Sequence, residues 1–476
     1  MNKNRLIKIS LLSLICFLLI SISSFSCTTI LIGKELTVDG SVIHAHNEDM
    51  GFTAVGRLWP VKAFTHKAGE TLKVPYVSIP QVEQTFQYWA SGNALSTTGL
   101  GISVEERPYD SVLVGMNQWG VTMSCNWMYS KEENLPGEGI RRYALRQLIL
   151  ERAKTAKDAV LLVGEFIDKY GQADWGGLDY CLADPNEAWI IETTSKHWVA
   201  RKVKDDEILV VANYFVIKDD FDLSSKGLIE YAESKGWYDS KKGKFNFRDV
   251  YGLPERMNNP YDIDRENRAY KLLESKKGVI VPEDLFIVLM DRYEGTTKYH
   301  KPLTVEPWED VTDKLLIPRT INTNLCQSSS VAQLRSNLPV EIGAVMWYAM
   351  ATPGYSGYFP LYAGAYDIPK EFQNVNGSIS PDSAWWTFRL IQKYGDTAFD
   401  TVYPMLKSFW LTYHANILIR QSTIEEKALK LIRDNKKEEA IKIINSFTFS
   451  EAHNILQQAR FQLRHIQDIT GNVPIW

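Results

Sequence analysis

The stretch from Cys27 to Asp49, CTTILIGKELTVDGSVIHAHNED, decides how the chain begins to fold. Residues 28–33 and 42–47 are rich in β-branched and apolar side chains, and Asp39-Gly40 stands between them. Two strand-like runs separated by an Asp-Gly pair predict a β-hairpin. The fold is therefore expected to start from an antiparallel pair that has a cysteine at its first position.

The position of Asp49 depends on the register of this hairpin. With Asp39-Gly40 as the turn, Asp49 faces Ile30 across the hairpin. A bulge or a small register shift instead brings its carboxylate near Cys27. The spacing alone leaves open whether Asp49 is a site residue or a solvated turn carboxylate.

A basic and then apolar segment precedes the hairpin. Basic residues within 1–8 are followed by an apolar run over 9–22, which is shorter than the about 20 residues of a membrane-spanning helix. The small residues Ser24 and Ser26 are typical of the −3 and −1 positions of a signal-peptidase site. The sequence thus predicts that the first 26 residues are a secretory signal peptide and that Cys27 begins the mature chain. We expect the mature protein to be exported to the periplasm or the extracellular space.

Lipid modification of Cys27 is an alternative outcome of the same processing. Bacterial lipoprotein signals normally have leucine near −3 and small residues at −2 and −1. Here Ser24 stands at −3 and the bulky Phe25 at −2, so this motif fits less well. No stable membrane insertion is expected once the segment has been removed.

Composition narrows the class of protein. The 476 residues are 45% hydrophobic and 23% charged, as in ordinary globular proteins. Lysine and arginine number 53 against 57 aspartates and glutamates, giving a net charge of −4. Nucleic acid is therefore not an expected partner, because phosphate backbones attract a basic excess.

The chain shows no internal repeat or Pro/Gly-rich linker, so one large unit is expected. Strand-like segments fill much of 111–213, with two helical segments over 141–171. The polar segment 226–277 is predicted to contain loops and one or two helices, as a lid or merely as surface. After Pro381 the pattern is helical, with a break expected at Pro404. These patterns predict a catalytic domain over 27–380 and a helical extension over 381–476 packed on it.

The chemistry indicated by the sequence centres on the new N-terminus. The sequence contains no His-Glu-x-x-His, Cys-x-x-Cys, P-loop, Gly-x-Gly-x-x-Gly or Gly-x-Ser-x-Gly motif. A cysteine that begins a chain carries its own base, because an unperturbed α-amine has a pKa of about 7.7–8.0 and accepts the thiol proton. Cys27 is therefore a candidate nucleophile.

A metal site is the competing chemistry. His44 and His46 lie on one face of the predicted strand, as two ligands of a metal-dependent amidohydrolase would. A catalytic zinc needs three protein ligands, and neither His197 nor His300 lies in a ligand-spaced motif. We predict that the protein uses no metal and no cofactor.

Some polar or reactive residues also have a purely structural interpretation. Asn117 precedes Gly120 in what resembles an ordinary turn. Turn preferences alone favour this structural role of Asn117 over a functional one. Cys125, Cys181 and Cys326 are widely spaced and are expected to be small buried side chains.

Several motifs, taken together and in order, resemble the dipeptidases of the N-terminal nucleophile (Ntn) hydrolases, relatives of penicillin V acylase and bile-salt hydrolase. The resemblance covers most of 27–410 and implies an α+β fold, a four-layer αββα sandwich with a helical C-terminal extension. The motifs are Cys27–Lys34, Asp39–Ser41, Asn47–Asp49, Gly115–Val121, Ala183–Trp189, Val211–Asn213, Arg292–Thr296 and the stretch from Arg319 to Trp347.

The same resemblance implies roles for individual residues. Cys27 would be the nucleophile with its amine as the base, Asp49 would orient that amine, and Asn117 would donate to the oxyanion. Asn213 would be a further polar contact to the nucleophile or to the tetrahedral intermediate. Arg319 would correspond to an arginine that acts electrostatically in the acylase relatives. This assignment depends on a short stretch of matching sequence.

The chain departs from its relatives at one position. They usually have Arg-Asn-x-Asp where this chain has His46-Asn47-Glu48-Asp49. A fixed cation beside the thiolate is thus replaced by a group whose charge depends on pH. His46 retains the ability to donate a hydrogen bond, and we expect it to contact substrate.

The sequence therefore predicts an exported cysteine peptidase that hydrolyses dipeptides through a thioester acyl-enzyme. One alternative is an acylase acting on N-acyl amino acids, bile-salt conjugates or penicillin-type amides. Another, suggested by His46, is a catalytically impaired lipoprotein or binding protein. The expected partner is a small peptide substrate, and association of identical copies is left open.

Overall fold

Two antiparallel β-sheets packed face to face form the centre of the molecule. The computed structural model describes residues 27–50, 55–93, 109, 111–132, 137–302, 319–374 and 379–471. The predicted signal peptide, residues 1–26, lies outside the described residues.

The first sheet carries the predicted nucleophile on its second strand. Its six strands follow the order β15-β1-β2-β17-β18-β19, and every neighbouring pair is antiparallel. The strands are β1 Thr28–Ile32, β2 Val42–Asp49, β15 Ile208–Val211, β17 Cys326–Leu334, β18 Ala344–Met350 and β19 Phe359–Tyr362.

The β1–β2 hairpin forms as predicted, but in another register. Ile30 pairs with Ala45, because residues 33–41 form a longer connection that includes the 3-10 turn Lys34–Leu36. The expectation that Asp49 faces Ile30 is therefore wrong. Continuing the observed register places position 48 opposite Cys27 and Asp49 one residue beyond.

The second sheet has nine strands and lies against the first. Its main path is β16-β14-β13-β12-β10-β9-β8-β3, and β11 pairs with β12. These strands are β3 Gly56–Val61, β8 Tyr88–Asn93, β9 Val112–Asn117, β10 Thr122–Ser124, β11 Trp127–Met128, β12 Gly177–Ala183, β13 Ala188–Thr193, β14 Trp198–Lys202 and β16 Leu223–Ser224. Two small hairpins lie between β3 and β8: β4 Phe64–Thr65 with β7 Gln84–Thr85, and β5 Thr71–Val74 with β6 Val77–Pro80.

Helices cover the outer face of each sheet. Helices α1 Arg142–Arg152 and α2 Ala156–Tyr170 pack on the second sheet. The two predicted helical segments are confirmed, and α2 starts at a capping box in which the Thr155 hydroxyl accepts from the Asp158 N–H. On the first sheet lie α5 Pro260–Leu273 and α6 Pro282–Leu289. The four-layer α+β sandwich predicted from the resemblance is thus confirmed.

Shorter helices connect these layers. They are α3 Leu228–Ser234, α4 Phe247–Tyr251, α7 Val340–Gly343 and α8 Lys370–Gln373, with a 3-10 turn at Glu274–Lys276.

The helical C-terminal region is present and packs on the first sheet. It consists of α9 Ala384–Thr397, α10 Phe399–Arg433 and α11 Lys437–Thr470, which contact one another and strands β18 and β19. The predicted break at Pro404 is wrong, because α10 runs through it. Pro404 lies near the helix start, where it removes only the N–H that would bond the carbonyl of Asp400. Within the described residues, every helix is too short or too polar to cross a membrane.

Candidate active site

Strand β2 is buried along its whole length although half of it is polar. His44, His46, Asn47, Glu48 and Asp49 are each at most 3% exposed. Buried polar groups are destabilising unless they have hydrogen-bond or ionic partners. Their partners therefore define the surroundings of the nucleophile.

Cys27 lies immediately before β1 and is fixed from two sides. Its carbonyl oxygen accepts a hydrogen bond of 2.7 Å from Nη1 of Arg265. The backbone N–H of Asp49 donates to its sulfur. The residue is 2% exposed, and all four described cysteines are free thiols.

The surroundings of Cys27 keep its thiol protonated. Burial raises the pKa of the thiol well above its ordinary value, and the carboxylates of Glu48 and Asp49 add to the rise. The Asp49 N–H and the guanidinium of Arg146 act in the opposite direction without cancelling it. A thiol in this position needs a base close by before it can act as a nucleophile.

The structure brings Asp49 and Arg319 together beside Cys27. Oδ2 of Asp49 lies 3.2 Å from Nη2 of Arg319. Its other oxygen, Oδ1, accepts no hydrogen bond from any residue that the structure describes. Burial raises the pKa of Asp49 to about 6, although the charges of Arg319 and Arg265 oppose that rise. Asp49 is thus an anion near neutral pH with one acceptor oxygen available.

Arg265, on α5, connects Cys27 to Asn213. Its Nη1 donates to the Cys27 carbonyl and, at 2.8 Å, to the hydroxyl of Thr28. Its Nη2 donates to Oδ1 of Asn213 at 2.8 Å and to Oδ1 of Asp262 at 2.5 Å. This fully buried arginine holds the start of β1 and the amide of Asn213 in one cluster.

Sequence reasoning missed Arg265 because it lies in the segment 226–277, which is polar enough to resemble surface. The segment instead places α5 against β15, next to the start of β1. An arginine that faces inward from a short amphipathic helix has no distinctive local pattern. Asn213 itself was predicted, and its Nδ2 donates to the Trp127 carbonyl at 2.9 Å.

Asn117 has a structural role in a different place. Its Oδ1 accepts the N–H groups of Trp119 and Val121, at 3.0 and 3.1 Å. Its Nδ2 donates to the carbonyls of Leu150 and Ala153, at 3.1 and 2.7 Å. Both side-chain amide hydrogens of Asn117 thus bond backbone carbonyls at the end of α1. The structure supports the turn interpretation of Asn117 and not the predicted oxyanion donor.

The asparagine that does lie beside the nucleophile strand is Asn126. Its Oδ1 accepts from the Thr29 hydroxyl at 2.9 Å, and its Nδ2 donates to the carbonyls of Val211 and Ala212, both at 2.9 Å. Asn126 therefore ties the second sheet to β1 and to the end of β15. Its position nine residues after Asn117 is visible in the sequence, but only the packing of the sheets shows which of the two contacts β1.

His46 forms a buried cluster with Glu48 and Arg146. Nε2 of His46 lies 3.1 Å from Oε2 of Glu48, and Nδ1 lies 2.8 Å from the Thr29 hydroxyl. Nη1 of Arg146, on α1, lies 3.6 Å from the same Glu48 oxygen. Burial lowers the pKa of His46 and favours the neutral imidazole. Burial alone would raise the pKa of Glu48, but Arg146 and His46 outweigh it and hold that pKa below its ordinary value.

Arg146 supplies a positive charge to this cluster. Its guanidinium is permanently charged and acts on both Glu48 and Cys27. The fixed cation comes from a helix of the opposite outer layer.

His44 does not join His46 in a metal site. Its Nδ1 lies 2.9 Å from the Thr122 hydroxyl and its Nε2 lies 2.8 Å from that of Ser124. Burial lowers its pKa to about 3, so the ring is a neutral hydrogen-bonding group of the core. Of the other histidines considered, His197 contacts Glu132 and His300 the Lys301 carbonyl, both away from β2.

The chain is similar to known proteins in sequence and in fold. The model of peptidase family C69 matches residues 26–412. A probable dipeptidase from Latilactobacillus sakei is 25% identical over 76% of this chain and 79% of its own length. Probable dipeptidase B from Lactococcus lactis subsp. lactis is 24% identical over 87% of this chain and 91% of its own length. Penicillin V acylase from Agrobacterium tumefaciens superposes on 71% of this chain and 86% of its own, with a TM-score of 0.38 and 14% identity.

Glu48→Gln is expected to lower the pKa of the Cys27 thiol. The change removes a carboxylate that raises this pKa and leaves Arg146 beside the sulfur, so both effects act in one direction. The pH midpoint of Cys27 alkylation, followed by mass spectrometry of the Cys27 peptide, should fall by about one pH unit.

Glu35→Gln, a change at an exposed glutamate in the β1–β2 connection, is the matched control and should leave the midpoint in place. A midpoint in Glu48→Gln that equals or exceeds the wild-type value would contradict this view of the cluster.

Proposed function

The chain belongs to peptidase family C69, and from this premise we propose that it is an exported dipeptidase in which Cys27 is both nucleophile and base. The observation that carries the proposal is the buried Cys27, whose sulfur accepts from the Asp49 N–H, whose carbonyl accepts from Arg265, and whose thiol needs a base close by. Removal of residues 1–26 would supply that base as the α-amine of the same residue.

Acylation follows from this arrangement. The α-amine accepts the proton of the thiol as the sulfur attacks the carbonyl carbon of the scissile amide. Burial disfavours a free thiolate, so proton transfer and attack are coupled. The resulting ammonium then protonates the leaving amine, the C–N bond breaks, and a thioester joins the acyl group to Cys27.

Asp49 and Arg319 act on the amine. The free Oδ1 of Asp49 accepts a hydrogen bond from the amine and stabilises its protonated form, whereas Arg319 holds the carboxylate through Oδ2. Asp49 thereby fixes the direction in which the base points.

Arg265 and Asn213 act on the charge that develops on the substrate oxygen. A permanently charged guanidinium within a buried cluster stabilises a nearby oxyanion more strongly than it would in water. Asn213 lies next to it and contributes an amide dipole. Asn117 has no part in this step, since its amide hydrogens bond the end of α1.

Deacylation repeats the chemistry with water. The neutral amine removes a proton from a water molecule, which attacks the thioester carbonyl, and the sulfur leaves and recovers a proton. The products are a carboxylic acid and the free enzyme.

The proposed substrates are dipeptides, in line with the names of the relatives in Latilactobacillus sakei and Lactococcus lactis. Export is supported by the basic and apolar character of residues 1–26. We infer that the mature chain acts on small peptides outside the cytoplasm.

Cys27→Ser is expected to reduce the hydrolysis of dipeptides by at least about 1,000-fold, since a hydroxyl of nearly the same shape is a far poorer nucleophile. The thermal unfolding midpoint should change little. The rate is measured with the mature chain on a dipeptide panel, with N-acyl amino acids alongside. Mass spectrometry confirms the free N-terminus.

Cys181→Ser, at another buried thiol, is the control and should retain activity. Wild-type turnover by Cys27→Ser would contradict the mechanism. Turnover of the N-acyl amino acids in place of the dipeptides would contradict the substrate class.

Asp49→Asn is expected to lower kcat/KM and to move its acidic limb to lower pH. The rate falls because the amine loses the anion that orients it. The limb moves because removing a nearby negative charge lowers the pKa of an ammonium group, so the amine remains a base in more acidic solution. In the wild type, protonation of Asp49 near pH 6 contributes to the same limb.

The measurement is a pH profile of kcat/KM for both proteins. Asp205→Asn removes a carboxylate that pairs with Lys34 at the far end of the hairpin, so its profile should match the wild type. An acidic limb that stays in place in Asp49→Asn would show that Asp49 does not act on the base.

A further inference from the structure

We propose that Cys27, His46 and Glu48 form a binding site for a soft divalent cation, with Zn²⁺ as the best fit, and that occupation of this site blocks the nucleophile. The proposal rests on the proposed function in one respect, since the free α-amine of Cys27 completes the ligand set. It concerns a regulatory ligand and not a catalytic metal.

The three side chains converge at one point. One ligand atom from each of Cys27, His46 and Glu48 lies within 4.8 Å of the other two. Nε2 of His46 and Oε2 of Glu48 are 3.1 Å apart. Two ligand atoms on a tetrahedral zinc lie about 3.3–3.8 Å apart, so the sulfur needs to move inward by only about 1 Å.

The donor set is chemically suited to zinc. A thiolate, an imidazole and a carboxylate are all ordinary zinc ligands, and the thiolate disfavours hard cations such as Mg²⁺. Nε2 of His46 faces Glu48, and its Nδ1 contacts the Thr29 hydroxyl on the other side of the ring. Oε2 of Glu48 lies 3.6 Å from Nη1 of Arg146, an ion pair without a hydrogen bond.

Processing of the chain adds the fourth ligand. The amine and the sulfur of an N-terminal cysteine close a five-membered ring on one metal ion. The site then holds nitrogen and sulfur from Cys27, nitrogen from His46 and oxygen from Glu48. On binding, the thiol proton and any proton on the amine are released to solvent, the S–Zn bond forms, and neither the nucleophile nor the base is free to react.

His46 is the residue that makes the site. It supplies an imidazole nitrogen, whereas an arginine at position 46 has no lone pair with which to ligate a cation. Zinc sensitivity is therefore expected to depend on His46.

The test uses the mature, metal-free enzyme and two readouts. Peptide hydrolysis is titrated with Zn²⁺ and reversed with EDTA, with Mg²⁺ as the hard-cation control. Co²⁺ is added separately, and the thiolate-to-cobalt charge-transfer absorption reports ligation by the Cys27 sulfur without any need for turnover.

The matched variants are His46→Arg and His44→Gln. The hydrolysis rate of each variant with Zn²⁺ is compared with the rate of the same variant without metal. Loss of one ligand in His46→Arg should raise the inhibition constant for Zn²⁺ by about 100-fold or more and remove the cobalt absorption. His44→Gln changes the neighbouring imidazole on the same strand face, which bonds Thr122 and Ser124, and should keep both signals. Cys27→Ser should lose the cobalt absorption.

The outcomes separate this inference from the proposed function. An active enzyme that Zn²⁺ does not inhibit, or that it inhibits equally in His46→Arg, overturns the metal site and leaves the dipeptidase in place. Cobalt–thiolate absorption that requires His46, in a protein that hydrolyses no peptide, supports the metal site and overturns the dipeptidase.

Discussion

Charge balance on the buried strand β2 is the constraint on which the site depends. Glu48 and Asp49 are buried ionisable groups on opposite faces of β2, and an unpaired charge in either place is strongly destabilising. Arg146 balances Glu48 and Arg319 balances Asp49, whereas Arg265 balances Asp262. Three carboxylates thus meet three guanidiniums around one thiol. Each arginine comes from a different part of the chain.

This balance also sets the reactivity of Cys27. Carboxylates on the adjacent strand raise the pKa of the thiol and Arg146 lowers it, so the sulfur remains a thiol until its proton is removed. Such an arrangement suits a nucleophile that is activated only within a reaction. The positive charge beside the sulfur comes from Arg146, which is distant in sequence, and not from the adjacent strand.

Local sequence patterns predicted individual strands and helices, and several motifs taken in order predicted the fold. The hairpin of β1 and β2, the capped helix α2, the helical C-terminal region and the αββα layers all follow from patterns or from the resemblance. The register of β1 against β2 did not follow, because an Asp-Gly pair resembles a two-residue turn even when the connection is longer. Pro404 predicts a helix break from sequence, because the sequence does not show how close this proline lies to the start of α10.

Within the site, the residues close to Cys27 in sequence were predicted and the distant ones were mostly missed. Asp49 and His46 lie on the adjacent strand of the same hairpin, so a short pattern finds them. Arg265 and Arg146 reach the thiol only through the packing of α5 and α1, which no local pattern encodes. Asn126 was missed for the same reason, because only the packing of the second sheet against the first shows that its amide contacts β1.

The distances along the chain have a consequence for when the site becomes competent. Arg146, Arg265 and Arg319 lie more than 100 residues from Cys27, so the balanced environment exists only once both sheets and the outer helices have packed. Loop closure over such separations is a late and costly step in folding. Before it, Cys27 is an ordinary thiol without oriented partners. Under the proposed processing its nitrogen is also still an amide and not a base. Folding and cleavage are then two separate requirements for one reactive sulfur, and neither alone yields a peptidase.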